Sequence, residues 1–141
     1  MTVHTGGCHC GNIRLGFSTE LDPQQIEVRA CQCSFCVRYG SRAIADAAGK
    51  LIISVKDEAR LQRYQFGLRT ADYLICRECG VYVAAIAGEV DDARAIVIIN
   101  ALDDRERFNR EPVRVDFDAE SKAQRQARRR ARWMPVELSF G

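Results

Sequence analysis

Cys31-Gln32-Cys33-Ser34-Phe35-Cys36 is the stretch on which the fold turns. Three thiols fall within six residues, spaced C-x-C-x-x-C. A short bent segment can direct all three sulfurs at one point. A zinc ion there, with Zn–S bonds of about 2.3 Å, would still accept a fourth ligand. The other four cysteines form two pairs, Cys8-His9-Cys10 and Cys76-Arg77-Glu78-Cys79-Gly80. Four thiolates complete one tetrahedral zinc. Three leave a second zinc one ligand short.

Cys76-x-x-Cys79-Gly has the form of a zinc knuckle, two ligands on a turn that need two more from elsewhere. Cys8 and Cys10 supply them if the first strand lies beside the knuckle hairpin. Metal binding then ties the start of the chain to its second half and becomes part of the folding energy. The alternative joins the knuckle to two thiols of the middle trio, which discards a ready three-ligand set and leaves a bare C-x-C.

Three readings of the trio stand side by side. One is a catalytic zinc with water or substrate in the fourth position. Another is a structural zinc closed by a distant residue. The last is a redox pair of Cys31 with Cys33 or Cys36. His4 and His9 are the only histidines. His9, set between two cysteines in an extended segment, points away from them. On the open reading, three thiolates favour a soft fourth ligand, so an incoming thiol binds as thiolate beside an electrophile. An aldehyde held there forms a carbon–sulfur bond, or breaks one in reverse. Ser34, Arg38, Tyr39 and Ser41 are candidate substrate contacts, with Arg38 a partner for a carboxylate. Taken singly, Arg38 reads as a solvated loop charge, and Tyr39 and Phe35 as core residues.

The whole chain bounds these readings. Its 141 residues are 47% hydrophobic and 28% charged, with a formal net charge of +2. That is one globular domain, 1–141, large enough for a hydrophobic core. The charge balance does not point to a nucleic acid or a membrane. No basic and apolar leader opens the sequence, and the longest apolar run, Ala95 to Ile99, suits a buried strand. The expected location is cytoplasmic, where seven reduced cysteines serve metal rather than disulfides.

Alternation of Ile13, Leu15 and Phe17 marks a half-buried strand. Further strands are expected over 26–30, 51–55, 61–66, 72–75, 81–87 and 95–100, and through Val113, Val115 and Phe117. Residues 38–41 read as a loop, and 43–48 is ambiguous. The second cysteine pair falls in a hairpin turn, with Gly80 free to take positive φ. Ser121 and Gln124 form a capping box for a helix over 121–132, with Ala123, Ala127 and Ala131 on one face and Pro135 beyond its end. The arginines of 122–132 read as a solvated face near Asp116, Asp118 and Glu120, with phosphate binding as the alternative. The fold class is mainly β: short antiparallel strands, zinc-binding turns and a C-terminal helix.

Gly7-Cys8-His9-Cys10-Gly11, the C-x-C-x-x-C run and Cys76-Arg77-Glu78-Cys79-Gly80-Val81, in this order and spacing, resemble the glutathione-dependent formaldehyde-activating enzyme family, which includes centromere protein V. Tyr64-Gln65-Phe66-Gly67 fits as well, and the resemblance covers residues 6 to 87. It implies the Mss4-like β-tent. It implies two zincs, a structural one on Cys8, Cys10, Cys76 and Cys79 and a catalytic one on Cys31, Cys33 and Cys36. The implied activity is addition of glutathione to formaldehyde, a carbon–sulfur lyase reaction in reverse, with a small thiol and aldehyde as partners. Ser34, Arg38 and Ser41 are the candidate glutathione contacts. The rival is a zinc-stabilised binding module that takes nucleic acid through 122–132.

Overall fold

The computed structural model describes Met1–Gly141. The strands are β1 (Thr2–Gly7), β2 (Ile13–Thr19), β3 (Arg29–Cys31), β4 (Ala43–Ile44), β5 (Lys50–Val55), β6 (Leu61–Tyr64), β7 (Ala71–Cys76), β8 (Tyr82–Ala87), β9 (Arg94–Ile98), β10 (Val113–Val115) and β11 (Met134–Phe140). Two helices interrupt them, α1 (Ser34–Tyr39) and α2 (Lys122–Arg132). All eleven strands join in one sheet, ordered β1-β2-β5-β11-β9-β4-β3-β10, with β8, β7 and β6 extending from the other edge of β9. The mainly β expectation is what the chain forms.

Period-two patterning explains the main wing. Ile13, Leu15, Phe17 and Thr19 of β2 are buried, as are Leu51, Ile53 and Val55 of β5, while the residues between them face outward or lie half-buried. Each buried aliphatic chain contributes on the order of 2 kcal/mol. The shared core runs on through Leu74, Val83, Val97, Leu102 and Met134. It takes in Cys8 and Cys76 of the first set of sulfurs.

Several expected elements differ. Residues 26–30 do not form a continuous strand: Ile26 and Val28 are buried, but pairing begins only at Arg29. The strand expected at 61–66 ends at Tyr64, and 43–48 yields only the two residues of β4. Arg38 and Tyr39 belong to α1 rather than a loop, and Gly40 ends that helix at φ 60°. Not all pairing is antiparallel, since β3 with β10 and β5 with β11 run parallel. The expected C-terminal helix forms as α2, and one further strand follows it. After Trp133 the chain re-enters the sheet as β11, with Pro135 opposite Arg94. Local propensity cannot show such pairings, because the partners lie far apart in sequence.

The capping box of α2 is present, with Gln124 N donating to Ser121 Oγ at 3.1 Å and Ser121 N to Gln124 Oε1 at 2.8 Å. The buried face of α2 is the reverse of the expected one. Ala123, Ala127 and Ala131 are exposed, while Arg129 is buried and Arg125 and Arg128 are half-buried. Arginine stems are apolar enough to cover a surface, and here aromatic rings receive them. Arg128 stacks on Phe117 and Arg129 on Trp133, at 3.5 and 4.8 Å from the ring centroids.

Candidate metal centres and cleft

The β7–β8 turn holds Cys76 and Cys79, and Gly80 closes it at φ 77°, donating to Cys76 O at 2.8 Å. Opposite, the turn after β1 holds Cys8 and Cys10. Cys8 Sγ accepts from Ile13 N at 3.2 Å. The four sulfurs lie within 4.8 Å of one another. Cys8 and Cys10 Sγ are 3.7 Å apart, and Cys10 and Cys76 Sγ 3.5 Å. Tetrahedral Zn–S bonds would place sulfurs about 3.8 Å apart, so the cage fits a metal of that kind. Burial pushes the Cys76 thiol up to about 12. Four thiolates cannot share this space unless a cation sits among them.

The trio is assembled by a strand end and a helix start. Cys31 ends β3, and Gln32 N donates to Val115 O of β10 at 2.8 Å, holding the chain extended. Cys33 caps α1, its Sγ accepting from Cys36 N at 3.3 Å. The first turn of α1 then brings buried Cys36 back beside the other two. These three sulfurs also lie within 4.8 Å of one another, and no histidine or carboxylate atom joins them. Either cluster could hold a metal ion. A hydrogen bond from Cys36 draws the Cys31 thiol down to about 6 against the effect of burial, with Arg128 adding a smaller pull. The Cys36 thiol moves far upward in response to the same bond and to burial.

One cleft opens above the trio. Ile96, Ile98, Ala43 and Val115 form apolar walls, and Phe66, Tyr73 and Tyr82 form an aromatic side. Its roof comes from the C-terminal segment: Phe117, Asp118, Arg125, Arg128, Arg129 and Trp133. Arg29 lines it from β3.

Of the expected contacts, Ser41 lines the cleft and is buried, its hydroxyl donating to Cys36 O at 3.4 Å. Ser34 and Arg38 do not line it. Both are exposed on the outer side of α1, where Arg38 Nη1 donates to Ser34 O at 2.6 Å. Phe35 is half-buried at the centre of an aromatic cluster, its ring centroid 5.1–5.4 Å from those of Tyr39, Tyr64, Phe66, Tyr73 and Tyr82. Tyr39 donates to Gly80 O at 3.3 Å, so α1 also touches the knuckle. His9 is exposed, and His4 is buried elsewhere, 2.7 Å from Asp104.

The residues that sequence reasoning missed are Arg29, Tyr82, Trp133 and the three inward arginines of α2. A signal was available in the spacing, because Arg125, Arg128 and Arg129 recur at i, i+3 and i+4 and share one helix face. The alanines share another face, which is exposed.

The family model of the glutathione-dependent formaldehyde-activating enzyme matches residues 3–116. Among solved structures, the crystal structure of a protein from Rhodobacter sphaeroides is 30% identical, with a TM-score of 0.59. That match covers 79% of this chain and 99% of the other. The chain belongs to the glutathione-dependent formaldehyde-activating enzyme family.

Proposed function

We propose that this member of the family is a zinc-dependent carbon–sulfur lyase-like enzyme, joining a thiol such as glutathione to a small aldehyde such as formaldehyde, or the reverse. The observation that carries the reading is the trio itself: three sulfurs within 4.8 Å, no fourth protein ligand, and a cleft above them. Cys8, Cys10, Cys76 and Cys79 would hold a structural zinc, and Cys31, Cys33 and Cys36 the catalytic one. When bound at the trio, zinc supplies a position where an incoming thiol loses its proton and keeps its sulfur beside the electrophile.

The chain's own groups do the rest. Apolar walls from β4, β9 and β10 exclude water from the reacting pair. Tyr82 lines the cleft with its hydroxyl buried and without a partner. Burial holds its phenol well above the ordinary value, with the charges of Cys36 and Tyr73 next in effect, so it keeps its proton. It would donate a hydrogen bond to the aldehyde oxygen as the carbonyl π pair moves onto it and sulfur bonds to carbon, and the proton lost by the thiol ends on that oxygen. Thiol and aldehyde add without any oxidant or reductant. Ser41 holds the carbonyl of Cys36 and so positions the trio. Ser34 and Arg38 have no part in this reading, because both lie outside the cleft.

The decisive test follows glutathione and formaldehyde by NMR with the zinc-loaded protein. Accelerated formation of the hydroxymethyl thioether is expected, with about two zincs per chain. No acceleration by the fully loaded protein overturns the reading. No helix is long and apolar enough to cross a membrane. Seven free cysteines suit a reducing, glutathione-containing compartment, so the cytoplasm and a single domain over 1–141 belong to the same proposal. A nucleic-acid role for 122–132 is weakened by the inward direction of Arg125, Arg128 and Arg129.

A further inference from the structure

We infer that the cleft holds an apolar subsite beside Tyr82 that takes the substituent of a branched or aromatic aldehyde, so that the electrophile of this protein is larger than formaldehyde. The inference rests on the addition reading above for its carbonyl; the subsite itself stands on the walls of the cleft.

Tyr82 fixes where that substituent would go. Its hydroxyl is buried without a protein partner, and the residue lines the cleft together with the three cysteines. A carbonyl oxygen that accepts from this hydroxyl brings its own carbon, and whatever that carbon carries, against the neighbouring side chains. Those neighbours are rings and aliphatic chains. The Tyr73 ring lies 6.0 Å from that of Tyr82, and the Phe66 ring stacks on Tyr73 at 4.8 Å. Tyr73 and Ile96 pack in turn against the cluster of Trp133, Ala71 and Ala85. Phe66, Tyr73, Ile96 and Trp133 all line the cleft, and the first three are only half-buried.

The charged groups of the cleft have partners of their own. Arg128 grips Glu120 at 2.9 and 3.0 Å, and Arg125 lies 3.5 Å from the same carboxylate. Arg129 donates to Thr70 Oγ1 at 2.7 Å, and Glu27 stands 3.9 Å from Arg29. Formaldehyde carries no substituent and would cover none of the apolar wall. A branched or aromatic substituent would, and each methylene taken out of water strengthens binding about fourfold. Apolar walls with a few placed polar groups are the form of a site that selects an apolar ligand. The addition itself is unchanged: sulfur bonds to the carbonyl carbon, the π pair moves onto oxygen, and the thiol proton ends there. The distribution along the chain agrees. Phe117 and Trp133 line the cleft but stand beyond the matched residues 3–116, whereas the seven cysteines stand within them. The sulfurs thus lie in the part that matches the family, and part of the apolar wall lies outside it.

The test follows addition of glutathione to formaldehyde, isobutyraldehyde and phenylacetaldehyde by the zinc-loaded protein, each rate divided by that of the same mixture without protein. The acceleration is expected to be about tenfold or more greater for the two substituted aldehydes than for formaldehyde. A second measurement needs no turnover. S-benzylglutathione should bind the zinc-loaded protein about tenfold or more tighter than S-methylglutathione. Ile96→Ala should narrow both differences, and Phe66→Ala serves in its place if that variant fails to fold. Acceleration greatest for formaldehyde overturns the subsite and leaves the lyase reading intact. Equal binding of the two thioethers overturns the subsite as well. Tighter, Ile96-dependent binding of S-benzylglutathione with no aldehyde accelerated supports the subsite and overturns only the lyase reading.

Discussion

The guanidinium carbon of Arg128 sits 3.5 Å above the centroid of the Phe117 ring, while its nitrogens grip both carboxylate oxygens of Glu120. One side chain thereby ties the second turn of α2 to the segment that leaves β10. The roof of the cleft is held by contacts within the C-terminal segment. Arg128 also stands close enough to the trio to favour the Cys31 thiolate. A residue of the C-terminal helix thus acts both on the roof and on the floor beneath it.

Acid should loosen that roof. The hydrogen bond from Arg128 holds the Glu120 carboxyl below its ordinary 4.5, outweighing partial burial. A group depressed in the folded state contributes its stability above its unfolded value and loses it as pH falls through the folded one. Thermal stability should therefore fall more steeply below about pH 4.5 in the native protein than in Glu120→Gln. At neutral pH the substitution costs about 1 kcal/mol. Parallel acid profiles for the two proteins would contradict the assignment.

Cys76→Ser should lose the four-sulfur metal and with it the tie between the β1 turn and the β7–β8 hairpin. A loss of about 3 kcal/mol or more, seen as a fall in Tm of about 10 °C, is expected. Metal analysis and calorimetry check it together. An unchanged Tm would show that the core alone holds these turns in place.

Cys33→Ala should behave differently. It leaves the shared core untouched, since Cys33 is half-buried outside it. The variant stays folded, binds one metal fewer, and loses adduct formation by about a hundredfold or more. Elemental analysis and the NMR assay check the pairing of the two losses. Full metal content with full activity would mean the trio is not the reactive centre.

Trp133→Ala removes the single tryptophan, 4% exposed, from its small cluster with Ala71 and Ala85. Truncation should cost about 3 kcal/mol in denaturant unfolding. In the native protein the same ring reports on Arg129, which stacks upon it.

The legible part of the site was the part encoded by adjacency. C-x-C-x-x-C brings its own sulfurs together through one strand end and one helix turn, whatever the rest of the chain does. Cys76-x-x-Cys79-Gly does the same through a hairpin. Ser34 and Arg38 stand near Cys33 and Cys36 in sequence, yet they do not line the cleft. In a helix, residues adjacent to a buried position point elsewhere. Ser41, just past the end of α1, does turn inward.

By itself the sequence determined the mainly β class, the two sets of sulfurs and the capped helix at 122–132, because each depends on spacing over a few residues. Only the tertiary structure decided that α2 lines the cleft above the trio with its arginines, that Trp133 leads back into the sheet as β11, and that Arg29 lines the same cleft from β3. Those outcomes depend on pairings such as Met134 with Ala95 and Val136 with Leu51. No local propensity specifies such partners, since their contact energy exists only once the distant strand is in place.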